Sequence, residues 1–469
     1  MPPIVVFNAN TGSDTIASGA PADFGPIYGS NAQVTTGNAT INLSIDAPDL
    51  TGVPVDGSAV IFVNTGSGRS FMPIVAKDAV AYTVTVQSGR EPTTTGTFQW
   101  AIGGKRATWN NSKQIFADAI QEWIIETETD QILAVDIVVG GAESGTFTTY
   151  TDALTIRGTT NNPRPKIIQT LDKYCIHHNR PFRYEKLQFM NSAATKTNAF
   201  ALQTAGGGRI YAEDCIFGDP NNVNNLSRGI FHQAGTLPIL TIVNCAFINI
   251  TDKAISGDWE NLTVDSCLFQ NITNACIEVT DTGNHGWWLT SNIVINAKHF
   301  IYVGTRFAYV DGLILNNVIA NTTSHGIYGI ADGGASAPKQ SRLTVKNNIF
   351  YQCNGYAINW VLPSGYTTFR IWQSSFIGHN CYWQNASGPV SNFPLAPDDV
   401  QLDPQFANPA ALDFRIGPNL KAKGWPKYDR AIGAGMSQTF SYVDIGAAQR
   451  KETPIRRRYI SIGVPDHAY

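Results

Sequence analysis

One short phrase returns through the middle of this chain and limits what the chain can fold into. A polar residue followed by apolar ones recurs as Asn244-Cys245-Ala246-Phe247, Ser266-Cys267-Leu268-Phe269, Asn292-Ile293-Val294, Asn317-Val318-Ile319 and Asn348-Ile349-Phe350. It extends upstream to Asp214-Cys215-Ile216-Phe217 and downstream to Ser374-Ser375-Phe376. With positions 215, 245, 267, 292, 317, 348 and 374 taken as equivalent, the spacings are 30, 22, 25, 25, 31 and 26. A second phrase keeps step with the first. A small residue precedes isoleucine in Gly229-Ile230, Ala254-Ile255, Gly326-Ile327 and Ala357-Ile358, and Cys276-Ile277 and Phe300-Ile301 fill the gaps.

Two β-like phrases in each period of roughly 20–30 residues mark a solenoid. In Leu262-Thr263-Val264 and Leu343-Thr344-Val345 the apolar residues stand two apart and share one face of a strand. Asn, Gly, Asp and Thr gather between strands, where the chain turns and short polar side chains bond to nearby backbone. The physical solution is a parallel β-helix, each coil stacked roughly 4.8 Å from the last. One coil cannot bury its inward row; a stack can.

A chain of 469 residues exceeds one ordinary domain, so a companion to the solenoid is expected. The net charge of −3 argues against nucleic acid and anionic membrane as partners. No apolar run reaches the ~18 residues of a membrane span. Met1-Pro2-Pro3-Ile4-Val5-Val6-Phe7 lacks the charged start and long apolar run of a signal peptide. Three of the seven cysteines, 215, 245 and 267, hold one place in the repeat, which points to buried stacked thiols rather than disulfides. No CxxC, HExxH or HxH spacing occurs, so no metal and no cofactor is expected.

Ahead of the repeats, Ile41–Ile45, Ala59–Val63 and Tyr82–Val86 read as half-buried strands of a sandwich-like docking domain over 1–106. Ile115, Phe116, Ala119, Ile120, Trp123 and Ile124 fall on one helical stripe, giving a capping α-helix over Ser112–Glu126 within 107–130. A solenoid's open end exposes unpaired backbone, and such a helix covers it. The β-helix is expected over 131–385. Long turns around 331–340 and 363–365 line one flank. A proline-rich irregular wrap follows over 386–449, then a basic arm over 450–469 that either stays solvated or grips a neighbour.

The helix followed by Ile137-Val138-Val139-Gly140-Gly141, Gly145-Thr146-Phe147-Thr148 and Leu154-Thr155-Ile156-Arg157-Gly158 resembles the opening of right-handed parallel β-helix proteins of the pectin-lyase-like superfamily. Leu402–Phe406, Asp413–Ile416 and Val443–Ala447 resemble the terminal segment of such proteins. The whole arrangement, with Trp100–Ala107, is similar to β-helix proteins of tailed phages and prophages. That resemblance implies an all-β chain: a β-helix with a small N-terminal β-domain. It also implies a virion component such as a tail spike, tail fibre or capsid-surface decoration, made in the host cytoplasm, with assembly or host-glycan binding as its role. A homotrimer is implied as well, along with other virion proteins docked through the N-terminal domain and the C-terminal arm. Because the superfamily also holds glycoside hydrolases and polysaccharide lyases, fold alone does not decide the activity.

The outward positions beside the isoleucine row test for an enzyme. They carry Phe231, Ser256, Glu278, Tyr302, Tyr328 and Asn359, with Asp258 two residues beyond Ser256. Asp258 and Glu278 on adjacent coils would stand about 8 Å apart, a separation that suits an inverting acid–base pair. A lyase would need acidic calcium ligands and a Lys or Arg base, for which Asp258, Glu278 and Lys253 are sparse. Tyr302, Tyr328 and Asn359 suit contact with sugar, and Trp288 can stack on a sugar ring, while Trp287 takes an inward position. Binding or scaffolding is therefore expected ahead of turnover.

Overall fold

The computed structural model describes residues 4–8, 27–106 with short gaps, 123–139 in part, 154–303 with short gaps, 310–330, 342–361, 376–420 and 445–446. They divide into two compact units, Met1–Glu260 and Asn261–Tyr469.

The first unit begins with an antiparallel barrel. Ile27–Val34, Thr40–Asn42, Thr83–Val86, Phe71–Asp78, Val60–Val63 and Gly96–Ile102 pair in that order, and the last closes on the first. The expected strands 41–45, 59–63 and 82–86 are all present with slightly shifted ends. The chain closes them into a barrel rather than two facing sheets, which leaves no open edge. Ile41, Ile61, Met72, Ile74, Val84 and Trp100 fill the interior. The Trp100 indole donates to Asp46 at 2.7 Å, so its one polar atom is satisfied at the core's rim.

The rest of the first unit is coiled, with three strands to a coil. Strands Trp123–Thr127, Leu154–Gly158, Phe182–Glu185, Arg209–Glu213 and Ile239–Val243 stack in parallel as a first sheet. Gln131–Leu133 through Ala246–Ile250 form a second sheet, and Ile137–Val139 through Lys253–Ser256 a third. One expectation fails here. Trp123–Thr127, assigned to the end of the capping helix, is a strand. Its β-branched and aromatic run finds partners on both sides, Leu154–Gly158 and Ile4–Asn8, and those ladders outweigh the helical spacing. The start of that helix, residues 107–122, lies outside the described residues, as do Gly145–Thr148. Ile4–Asn8 also adds to the first sheet in parallel, which nothing in the sequence announced.

Inside the coils, Phe189, Phe217 and Phe247 stack at 5.3 and 4.6 Å. These rings explain the small residue before each isoleucine. A Cβ on Gly229 would come within 2.7 Å of the Phe247 ring. Cys215 and Cys245 stack as expected, the Cys215 amide donating to the Cys245 Sγ at 3.4 Å. All seven cysteines are free and buried.

The second unit repeats the plan. Its first sheet runs from Asn261–Asp265 to Phe376–Gly378, its second from Leu268–Ile272 to Cys381–Trp383, and its third from Ala275–Val279 to Gly388–Ser391. The isoleucine row is in register: Ile277, Ile301, Ile327 and Ile358 lie opposite one another. The residue ahead of each second-sheet phrase is left-handed: Ser266, Ser291, Asn316, Asn347 and His379 have φ of 54–58°. Such a tight corner favours Asn, Asp and Ser among residues with a side chain.

Behind that corner runs an amide ladder. The Asn292 side chain donates to Asn317 Oδ1 at 3.0 Å, Asn317 to Asn348 at 2.9 Å, and Asn348 to Asn380 at 3.0 Å. Each backbone N–H donates to the same oxygen of the next coil, beginning with Cys267 and ending with Asn380 on Asp399. This corrects the register at the downstream end. The residue equivalent to Asn348 is Asn380, not Ser374, because Phe376–Gly378 belongs to the first sheet and Cys381–Trp383 to the second. The C-terminal wrap covers the second sheet: Phe414, Ile416, Leu420 and Ile445 pack on Val318, Ile349 and Cys381. The basic arm 450–469 lies outside the described residues.

Candidate functional site

The third sheet of the second unit gathers most of the residues expected to meet a ligand. Strand pairing sets Glu278 opposite Tyr302, Tyr302 opposite Tyr328, Tyr328 opposite Asn359, and Asn359 opposite Ser391. They form one outward column because each stands one residue after the isoleucine row. Tyr302 and Tyr328 stack with centroids 5.4 Å apart and planes 7° from parallel. Rings that cover each other's faces present their edges and hydroxyls outward. Glu278 is only 7 % exposed, less open than an outward strand position implies.

A second column stands two residues before the isoleucines. It carries Ala275, His299, His325, Tyr356 and Gly388. His299 and His325 stack at 5.9 Å, and both pack on Tyr328 at 5.5 and 5.4 Å. His325 also meets Tyr356 at 6.1 Å. Burial, reinforced by His325, pushes the His299 imidazole down to about 4. Burial lowers His325 as well. Both rings are therefore uncharged at neutral pH. The signal was present: both histidines stand two before a row isoleucine, a coincidence that searches for metal spacing overlook.

The other expected residues lie elsewhere. Trp288 is on the first sheet, 51 % exposed, in register with Thr263 and Leu313. Trp287 points inward, as its place in the phrase required. Asp258 belongs to the first unit, where its charge acts on His232. Burial holds that imidazole below its ordinary value against the pull of Asp258, and its ring lies 5.7 Å from Trp259. His232 is buried. Asp311 stands in strand Val310–Leu315 of the first sheet, opposite Gly286 and Arg342, and Asp332 lies outside the described residues.

The first unit carries two charged clusters of its own. Arg183 bonds Glu185 and, at 3.1 Å, Glu213, lies over the Tyr211 ring at 4.3 Å, and Tyr211 donates to Glu213 at 2.9 Å. Arg228 sits over Phe200 and Phe231 and pairs with Asp252 at 3.0 Å. Both arginines are occupied by internal partners. Among the described residues no group of three or more His, Cys, Asp or Glu could hold a metal ion, and no helix is long and apolar enough to cross a membrane.

Comparison with known proteins adds the following. The sequence profile of a family described as "Disaggregatase related" matches residues 292–431, a stretch that spans the amide ladder and the wrap but less than half of the chain. No curated protein matches. Among solved structures, pectate lyase Pel9A is similar at 12 % identity and a TM-score of 0.38, over 70 % of this chain and 88 % of that one. The tailspike of an Acinetobacter phage matches at 13 % and 0.25, over 60 % of this chain and 59 % of its own. The tailspike of Pseudomonas phage LKA1 matches at 10 % and 0.29, over 78 % and 64 %. The chain spans under two thirds of either tailspike. The strand register itself establishes the parallel β-helix; likeness at this level carries nothing about chemistry.

Proposed function

We propose that this chain is a β-helix scaffold of a phage-type virion appendage that contacts host-surface glycan through the third sheet of its second unit. The observation that carries the reading is the in-register column Tyr302–Tyr328–Asn359, flanked by uncharged imidazoles. Successive members stand one coil apart, so they address consecutive points along an extended polymer. Phenol and amide groups supply donors and acceptors without supplying a nucleophile or base at neutral pH. The barrel is the docking element in this reading, and the working assembly is a homotrimer. Trp288, on another sheet, is a separate contact.

Affinity electrophoresis against surface polysaccharide from a susceptible host tests the reading. The expected result is retardation that weakens at least tenfold in Tyr302→Ala/Tyr328→Ala, roughly 1.4 kcal/mol of lost contact. Retardation unchanged in that variant defeats it. Release of reducing ends or unsaturated products, lost in Asp258→Asn or Glu278→Gln, would make the protein a hydrolase or lyase instead. Sedimentation should return three times 50.9 kDa, and mass spectrometry should find the chain in purified particles.

A further inference from the structure

The hydrogen bonds around His325 fix which way the neighbouring amide points. The Tyr356 backbone N–H donates to His325 Nδ1 at 2.9 Å, so that nitrogen carries no proton. A neutral imidazole must then carry its proton on Nε2. The Asn359 amide is placed with its nitrogen, Nδ2, 3.0 Å from Nε2, an orientation that would set donor against donor. It has to offer its oxygen there, because two donors cannot share one bond, and the two ends of an amide are distinguished only by such a network. The Asn359 NH2 group is thereby turned away from the ring as a ligand donor.

The chemistry of the rest of the face agrees. Burial and the adjacent Tyr302 push the Tyr328 phenol up, so it remains an O–H donor at neutral pH. Neither tyrosine hydroxyl has a hydrogen-bond partner among the described residues. The two columns hold Glu278, Tyr302, Tyr328, Asn359 and Ser391 beside Ala275, His299, His325, Tyr356 and Gly388, with no Lys or Arg among them. Lys298, exposed on the turn ahead of His299, brings a positive charge that bears on the His299 ring, but as a lone ammonium rather than a fork. Recognition of a carboxylate-bearing sugar calls for Arg or Lys, ideally a bidentate fork. The two columns themselves offer neutral donors, neutral acceptors and an acidic residue at one end.

We infer that the face takes a neutral polysaccharide, with Asn359 oriented by His325 as an amide donor, and that it rejects chains built of uronate. The inference rests on the glycan-contact reading and narrows it. The test uses the full chain and two probe sets, neutral dextran, galactan and β-glucan oligosaccharides against polygalacturonate and alginate, read by titration calorimetry. A neutral probe should bind and the polyuronates should not. Asn359→Asp keeps an acceptor for the His325 Nε2–H and removes only the donor, and should weaken neutral binding by about tenfold or more. Selective 15N labelling of histidine should show the Nε2–H form at His325.

Polyuronate binding that disappears in Tyr302→Ala/Tyr328→Ala would overturn the neutral-chain inference while leaving the glycan face standing. Neutral binding unchanged in Asn359→Asp, or an Nδ1–H form at His325, would overturn the donor role. Failure of both probe sets, or binding indifferent to the tyrosines, would remove the glycan-contact reading together with the inference.

Discussion

At the scale of single residues, the buried imidazole of His299 couples the fold to pH. It is 4 % exposed, and burial lowers it from 6.5 to about 4. Between those values the unfolded chain binds a proton that the folded chain refuses. Stability is therefore full above pH ~6.5, falls as pH drops through the window, and levels off below about 4. The contribution is at most about 3 kcal/mol. Thermal melts between pH 5 and 6.5, above the range where ordinary carboxylates titrate, should show a falling midpoint whose slope is smaller in His299→Gln. A slope identical in the two proteins would refute the coupling. Residues of this kind were the least legible in the sequence. A histidine's burial depends on what the neighbouring coils bring, here Tyr302, Tyr328 and His325, and no local pattern records that. The corner residues were the most legible, since a left-handed φ limits the choice to a few side chains before any packing is considered.

At the scale of the strand, inward volume is exchanged between successive coils rather than held position by position. Phe269 and Phe350 occupy the ring row of the second sheet, but Val294 and Ile319 stand between them in register. The small place before the isoleucine meets the ring of the following coil, as Gly229 does Phe247, and where that following position is Ile319 the place is filled by Phe300, which is fully buried. Elsewhere that place cannot grow: a Cβ on Gly326 would meet the Phe350 ring at 2.7 Å. The exception at Phe300, visible in the sequence only as a gap in a pattern, is one half of an exchange. Phe300→Ala should cost about 3–5 kcal/mol as a cavity, and Ile319→Phe about 1–3 kcal/mol by overpacking. The double variant should recover part of both losses, with a coupling of about 1–3 kcal/mol in urea denaturation. Simple additivity would show that the two sites do not share their space. The barrel and the strand at Trp123–Thr127 illustrate the opposite limit. Helical spacing and sandwich-like alternation were both readable there, and pairing partners distant in sequence decided otherwise.

At the scale of the molecule, the repeat was readable because each coil must bring the same few side chains to the same corner, and its length was not, because turns absorb insertions freely. That is why the ladder residues at 292, 317 and 348 were found, and why the next was placed at 374 when six more residues had to pass before Asn380. The ladder makes a sharp prediction. Excising 292–316 removes one whole period and lets the Cys267 amide donate to Asn317, so the shortened chain should keep a cooperative melt and its β spectrum. Excising 293–316 leaves Asn317 one place out, turns the inward row toward water, and should abolish cooperative unfolding. The ladder also has a direction. Onto the side-chain oxygens of the ladder, each coil donates to the coil made after it, so a chain emerging from the ribosome ends in a corner whose amide hydrogens still wait for an oxygen. Synthesis relieves that want only when Asp399 arrives, a carboxylate that accepts from Asn380 and Ala396 and asks for nothing further. The protein thus carries its own stop signal for stacking, written in hydrogen-bond polarity, and a chain cut short before that aspartate should recruit a neighbour's strand where the finished one does not.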